Sequence, residues 1–428
     1  MSTLVVDPAP GGLHGRLRVP GDKSISHRAA LLAARAEGTS VLRGLSRGDD
    51  VAHTLAAVAG FGATVSGRPP GTVRITGGEA RLAEAAGVVD VGNSGTAIRL
   101  LAGWAAAIDG LTVLAGDESV AARPMERVVQ PLRAMGASVD GRKGGRYPPL
   151  VVRGGRLTGI DFRPPVASGQ VKTAVLLAGL AASGETTVRE TIPTRAHTEE
   201  LLAACGADVV VGPGSVTVRA GALSPLDIDV PGDPSQAAFW VVAACVVPGS
   251  DVVVEGVYVG PARAAFLDVL VRMGGDVSLE CHDRVAHTAD VRARHSALRA
   301  TNVGGAEVPG LIDEIPVLAV AAAVAAGTTT FSDAGELRVK ESDRIAAVVN
   351  ELGAVGGKAE PLADGFVVEG SAGYPLAGGQ VESHGDHRIA MAMAIAGLAA
   401  AGPVRIAGWE AVATSYPGFE EDLRRCVS

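Results

Sequence analysis

Six segments of this chain follow one plan, and that recurrence limits the fold more than any other property of the sequence. Each opens on a polar turn containing Gly or Asp, continues as an apolar, Ala- and Leu-rich run, and ends at Gly. They are GDKSISHRAALLAARAEG from Gly21, GNSGTAIRLLAGWAAAIDG from Gly92 and ASGQVKTAVLLAGLAASG from Ala167. The series continues with PGDPSQAAFWVVAACVVPG from Pro231, GLIDEIPVLAVAAAVAAG from Gly310 and SHGDHRIAMAMAIAGLAAAG from Ser383. Successive starts are separated by 71, 75, 64, 79 and 73 residues. A unit of that size is too long for a TPR or ankyrin array, and its helical content is too high for a propeller blade.

Each run is followed by a short β-branched stretch, such as TSVLRGL, LTVLAGD, TTVRET, SDVVVEG, TTTFSD or PVRIAG, which reads as a buried strand. A second helix with apolar residues at i, i+3, i+4 and i+7 then follows, as in ARPMERVVQPLRAMGASV, RAHTEELLAACGADV and ARAAFLDVLVRMGGDV. The first helix of each unit is apolar almost all round, so it should be enclosed by the rest of its repeat. A longer-range echo, RLRVPGDKS around residue 20 and DIDVPGDPS around residue 231, divides the six repeats into two sets of three. The expected domains are 21–230, and 1–20 together with 231–428, with a hinge near residues 20 and 231.

The chain has 428 residues, 47% of them hydrophobic, which is enough to bury real cores. Its 38 basic and 46 acidic residues give a net charge of −8, opposite in sign to a nucleic-acid groove. Cys205, Cys245, Cys281 and Cys426 are far apart and form no C-x-x-C, which argues against zinc or a disulfide framework and fits a reducing compartment. The start, MSTLVVDPAPGGLHGRL, lacks the basic and apolar regions of a signal peptide. Apolar stretches such as 389–401 fall short of the ~18 residues needed to span a bilayer. These features together lead to an expectation of a cytoplasmic protein with no nucleic-acid or membrane partner.

The chemical signal lies at the helix starts. A helix N-terminus carries about half a positive charge and favours anions. Here Lys23, Arg28, Arg99, Lys172 and Arg388 crowd the first turns of the apolar helices, and Arg123, Arg195, Lys340 and Arg344 those of the second helices. Such placement costs a few tenths to about one kcal/mol each unless an anion sits there. Small residues, cations and helix N-termini together suit a phosphate or carboxylate. Taken singly, Lys340 and Arg344, with Glu341 and Asp343 between them, also read as a solvated charged turn, and 92–96 as a plain loop-to-helix cap. His384, Asp386 and His387 lack a third partner spaced for a metal. Neither a G-x-x-x-x-G-K-[ST] nor a G-x-G-x-x-G motif occurs.

The motifs PGDKSISHRAALLAA, GNSGTAIRLLAG, GDESVAARPM, SGQVKTAVLLAGL, LIDEIPVLA, RVKESDRI and GDHRIAMA occur in that order over nearly the whole chain. In this they resemble the 5-enolpyruvylshikimate-3-phosphate (EPSP) synthase family. The resemblance implies the two-domain α/β enolpyruvyl transferase fold, an inside-out α/β barrel. Each domain would hold three βαβαββ repeats, facing the other across a cleft that closes on substrate. It also implies transfer of the enolpyruvyl group of phosphoenolpyruvate to the 5-hydroxyl of shikimate 3-phosphate, with release of phosphate. No metal or organic cofactor is implied, and a monomer is expected.

Carried over residue by residue, Lys23 would contact both substrates. Ser24, Arg28, Ser168, Gly169, Arg195 and Lys340 would hold shikimate 3-phosphate. Gln170 would lie between the two substrates, and Gly95, Arg123, Arg344 and Arg388 would form the phosphoenolpyruvate pocket. Asp313 resembles the family's base on the 5-hydroxyl, and Glu341 its proton relay at the methylene carbon, with Lys23 able to share the acid role. Addition–elimination needs both a base and an acid. Some relatives place a Lys before the aromatic-Pro pair near the C-terminus, where this chain has Thr414 and Ser415 before Tyr416.

Two alternatives stand beside this reading, one sharing the fold and one of a different class. The sister enzyme acting on UDP-N-acetylglucosamine usually has a reactive Cys in the loop that reads AGDESVAARPM here, and this loop has none. A non-catalytic repeat scaffold would leave Asp313, Glu341 and the cations at the helix starts without a purpose. The resemblance further implies inhibition by glyphosate, competitive with phosphoenolpyruvate, because Gly95 has no Cβ to crowd that longer ligand.

Overall fold

In a computed structural model of the chain, which describes residues 2–427, the six apolar runs form the helices Lys23–Arg35, Gly95–Ala106, Gly169–Gly179, Pro234–Val246, Ile315–Val324 and His387–Leu398. All 13 residues of Pro234–Val246 and all 12 of His387–Leu398 are buried. A helix enclosed on every side needs no polar face, which is why these runs lack one. Five of the six begin at a Ser or Asp whose side chain accepts a backbone N–H of the first turn: Asp22, Ser94, Ser168, Asp233 and Asp386. Such caps satisfy donors that burial would otherwise leave orphaned. The sixth helix, Ile315–Val324, begins at Glu314 without a side-chain cap. The amphipathic second helices include Asp49–Gly60, Glu126–Ala134, His197–Ala204, Ala265–Arg272 and Arg344–Ala354.

The sheets share one connectivity. In the first repeat the strand after the helix, Gly38–Arg43, pairs in parallel with Asp227–Asp229 and antiparallel with Val73–Gly77, whose other edge takes Thr64–Ser66. The same order recurs around Gly110–Ala115, Glu185–Arg189, Asp251–Tyr258 and Thr328–Phe331. Two sheets are completed from the start of the chain. His14–Leu17 is the parallel partner of Asp251–Tyr258, and Thr3–Val6 pairs antiparallel with Val404–Ala407 in a three-stranded sheet.

Contacts divide the chain into two units, Gly21–Val230, and Met1–Pro20 with Pro231–Ser428. The fold is mixed α/β in both. In the first unit Trp104 meets Phe61 edge-on at 4.8 Å and donates from Nε1 to Leu31 O. Helix Gly95–Ala106 approaches Gly169–Gly179 closely at Gly103, where a Cβ would stand 2.1 Å from Ala174 O. That glycine sets the spacing of two helix starts that matter below. In the second unit Trp240 stacks on Phe419 at 5.1 Å, with Tyr416 and Trp409 around the same ring. No helix among the described residues is long and apolar enough to cross a membrane.

Candidate functional site

In the unit Gly21–Val230, nine sequence-selected residues gather around the N-terminal ends of its three apolar helices. Arg28 is the organiser. Its guanidinium, 2% exposed, donates to Ser24 O and Oγ, Thr198 Oγ1, Gly169 O and Thr173 Oγ1 at 2.6–3.1 Å. One side chain thereby fixes Ser24 at one helix start and Gly169 at another. Ser24 Oγ also lies 3.2 Å from His197 Nδ1. Lys23 is partly exposed and bonded to Asp50 at 3.0 Å.

Gln170 is held from the neighbouring helix. Its Oε1 accepts from Arg99 Nη1 at 2.7 Å and its Nε2 donates to Thr96 Oγ1 at 2.9 Å. Arg99 Nη1 reaches Gly95 O as well. Arg123 lies against Gly95, where a Cβ would meet Nη1 at 2.2 Å. One main-chain bond and one side-chain bond tie the segment carrying Arg123 to a basic turn: Met125 N donates to Arg146 O at 2.9 Å, and Arg142 Nη2 donates to Ala121 O. Arg195 follows Thr194, whose side chain and that of Arg195 both pack beside Gly169. Ser168 caps its own helix.

Lys172, another cation picked out at a helix start, is turned wholly inward. It is buried between Glu199 at 2.6 Å and Glu190 at 2.9 Å, so its charge is spent on holding the 190–199 segment in place. The 92–96 stretch is both a cap and part of this cluster, since Ser94 accepts from Ala97 N.

His27, one turn along from Lys23, is fully buried, with Nδ1 2.7 Å from Thr54 Oγ1. Burial pushes its pKa from the ordinary 6.5 down to about 3; Lys23 and Arg28 act in the same direction, and Asp50 opposes them. The folded state therefore refuses a proton that the unfolded chain accepts below about pH 6.5. The stability this contributes is complete above pH 6.5 and is lost as pH falls from there toward 3. Between pH 7 and pH 5 the loss is about 2 kcal/mol, at 1.36 per pH unit. His27→Gln should show a correspondingly flatter dependence of denaturation free energy on pH over that interval. An unchanged slope would rule out this group as its source.

In the other unit, five selected residues come together, three cations around two carboxylates. Asp313 Oδ1 lies 3.3 Å from Arg344 Nη1 and 3.6 Å from Lys340 Nζ, and its Oδ2 is 3.8 Å from Arg388 Nη2. Its carbonyl accepts from Arg388 Nη1 at 3.0 Å. Arg344 Nη2 donates to Glu341 at 2.6 Å and Nε to Asp386 at 2.7 Å. Burial alone would lower the pKa of Arg344; the charges of Asp386, Glu341 and Asp313 outweigh it and raise the pKa. Arg344 is thus a buried hub for three carboxylates as well as a candidate anion contact. Asp386 is completely buried and caps its helix by accepting from Arg388 N.

Thr414 and Ser415 have internal partners. Thr414 Oγ1 lies 3.3 Å from His387 Nδ1 and donates to Ala411 O, while Ser415 Oγ accepts from Gln236 Nε2. Among the described residues no group of three or more His, Cys, Asp or Glu is placed to hold a metal ion. Burial raises the thiol pKa of Cys205 and Cys245 to about 12 and that of Cys426 to about 11, which keeps these sulfurs protonated at neutral pH.

Sequence reasoning passed over several residues that orient the selected ones. Asp50 sits in an acidic pair, GDDVA, that reads as an ordinary helix start. Thr173 and Thr198 are unremarkable letters until Arg28 brings them together. Asp386 reads in the sequence as a candidate metal ligand, although its place before Arg388 carries the cap signal.

The family model described as EPSP synthase (3-phosphoshikimate 1-carboxyvinyltransferase) matches residues 8–423. A 3-phosphoshikimate 1-carboxyvinyltransferase of Gloeobacter violaceus is 50% identical over 418 residues, 96% of each chain. One from Alkaliphilus metalliredigens is 46% identical, covering 97% of this chain and 98% of its own. Among solved structures, EPSP synthase from Acinetobacter baumannii superposes with a TM-score of 0.87 at 41% identity, covering 99% of this chain and 98% of that one. The enolpyruvyl transferase NikO from Streptomyces tendae shares the fold, with a TM-score of 0.79 at 20% identity and coverage of 99% and 97%.

Proposed function

Because the chain belongs to the EPSP synthase family, we propose that it transfers the enolpyruvyl group of phosphoenolpyruvate to the 5-hydroxyl of shikimate 3-phosphate, in the shikimate pathway. The observation that carries the reading is Asp313 among Lys340, Arg344 and Arg388, with Glu341 on the same arginine. In this reading Asp313 accepts the hydroxyl proton as that oxygen bonds to C2 of phosphoenolpyruvate. Glu341, with Lys23 able to share the task, delivers a proton to C3 to give a tetrahedral intermediate. The C–O bond to phosphate then breaks while a C3 proton returns to the relay, which restores the double bond.

Lys23, Ser24, Arg28, Ser168, Gly169, Gln170, Arg195, Asp313 and Lys340 are assigned to shikimate 3-phosphate. Lys23, Gly95, Arg123, Gln170, Arg344 and Arg388 are assigned to phosphoenolpyruvate, whose two anionic groups suit planar guanidinium forks. These cations also stabilise the charged intermediate and the departing phosphate. Arg28 contributes mainly by holding Ser24 and Gly169 in place, given its five internal bonds. The reading includes a cytoplasmic monomer working without metal or organic cofactor, because acid–base chemistry and fixed charge supply each step. A hinge where the chain passes between its units at residues 20–21 and 230–231 belongs to the same reading.

The test is phosphate release from phosphoenolpyruvate with shikimate 3-phosphate or UDP-N-acetylglucosamine as acceptor. Turnover is expected with the first, and turnover only with the second would overturn the proposal.

Glyphosate is expected to inhibit competitively with phosphoenolpyruvate. A methyl at Gly95 meets the guanidinium of Arg123 first. Gly95→Ala should fold normally, raise KM for phosphoenolpyruvate about threefold and raise the inhibitor constant about 30-fold, as the guanidinium shifts and the methyl crowds the longer ligand. Equal rises in a steady-state comparison would assign the whole effect to Arg123.

A further inference from the structure

Arg263 has no role in the chemistry above, yet it is one of the most completely buried charges in its unit, with its side chain 2% exposed. It lies in the turn before helix Ala265–Arg272. Nη2 donates to Asp233 at 2.6 Å and Nη1 to Glu314 at 3.1 Å. Ser235 Oγ donates to the same Glu314 oxygen. Asp233 in turn caps helix Pro234–Val246 through Ser235 N at 2.8 Å. The network therefore clamps the starts of two apolar helices together.

Glu314 is the informative member. It occupies the position where the five other apolar helices have a short capping side chain, and it makes no cap. Its carboxylate points to Arg263 and Ser235 instead, with the side chain 1% exposed. Forgoing a cap costs about 1 kcal/mol, and burying ions is costly unless their geometry is well satisfied. The residue immediately before it is Asp313. Lys340, Arg344 and Arg388 hold the carboxylate of Asp313, Glu341 and Asp386 face it across Arg344, and Glu314 anchors the adjoining peptide.

We propose that Arg263 is a positioning residue for Asp313, acting through Glu314 and the peptide that joins them. The proposal rests on the reading of Asp313 as the base. Arg263 fixes the start of helix Ile315–Val324, and so the direction from which Asp313 leaves the backbone. It also balances the charge of Glu314 one residue from the reacting carboxylate.

The experiment compares Arg263→Met, Arg263→Lys, Glu314→Gln and the double variant Arg263→Met/Glu314→Gln with the wild type. It reads kcat, both KM values, the acid limb of the kcat–pH profile and the folded fraction by circular dichroism. Arg263→Met should lower kcat on the order of 10- to 100-fold at little cost in either KM. Its acid limb should move up by about one pH unit, because Glu314 and Asp233 are left without their cation. Glu314→Gln should move the limb down, and it preserves side-chain shape should Arg263→Met fail to fold. The double variant should return the limb to its wild-type position without restoring kcat, and Arg263→Lys should recover part of kcat.

A kcat that falls only with the folded fraction, with the acid limb fixed in both single variants, would reduce Arg263 to a structural residue and overturn the proposal. Absence of wild-type turnover overturns the functional reading and this proposal with it. Normal turnover in an Asp313→Ala control overturns the role of Asp313 while leaving the activity standing.

Discussion

Asp313→Ala and Glu341→Gln should each lower turnover by a factor on the order of 10² to 10⁴ while leaving substrate binding nearly intact. The two kinds of effect separate because of what surrounds the carboxylates. Removing Asp313 takes away a negative charge that three cations share, so Lys340, Arg344 and Arg388 remain to attract anions. Glu341→Gln keeps an oxygen for Arg344 Nη2, whose present bond is 2.6 Å, and loses its negative charge together with the capacity to carry a proton. Shikimate 3-phosphate should then bind within about threefold of wild type in a calorimetric titration, with the loss confined to kcat. Near wild-type turnover in either variant would remove that residue from the acid–base scheme.

Arg344→Met should destabilise its unit by about 3–5 kcal/mol and abolish activity. Asp386 is fully buried, and it would lose the bonds from Arg344 Nε and Nη2 and with them its buried cation. Glu341 and Asp313 would lose the cation that holds them apart from each other's charge. Arg344→Lys should recover only part of this, since one ammonium cannot reach three carboxylates as a planar fork does. Urea denaturation followed by tryptophan emission reads the result: Trp240 and Trp409 report on this unit and Trp104 on the other. A midpoint for Arg344→Met equal to that of wild type would show that the three acids have other sufficient partners.

The helices and the repeat were legible because a run such as PSQAAFWVVAACV admits no polar face, and enclosure is the only way to place it. The closing strands were not. His14–Leu17 has a single buried residue, and Asp227–Asp229 carries two exposed acids around one isoleucine. Neither alternates well enough to signal a strand, and each becomes one by pairing with a segment far along the chain. The same limit governed the site. Cations at helix starts announce a preference for anions, but the anion can be internal: Lys172 finds Glu190 and Glu199, 18 and 27 residues away. Arg263, in a GPARAAF turn that suggests surface, finds Asp233 and Glu314 at separations of 30 and 51. Charge type is written locally, whereas its partner is chosen by the fold.

The strands contributed by residues 3–17 bear on the order in which the protein is made. They are made before their partners, which begin at Asp251 and Val404. The unit Gly21–Val230 has all its strands, ending with Asp227–Asp229, before most of the other unit exists, and can complete its sheets during synthesis. Residues 3–17 must wait unpaired, as extended segments of the kind that associate with the wrong edge. In strand order they are the tail of the second unit: Thr3–Val6 finishes its last sheet and His14–Leu17 closes back on its first, as Asp227–Asp229 does in the other unit. A chain rearranged to begin at Gly21, with its present ends joined by a linker, would spell each unit as one uninterrupted stretch. It would cross between them once instead of twice, and Thr3–Val6 would follow Val404–Ala407 closely instead of preceding it by most of the chain.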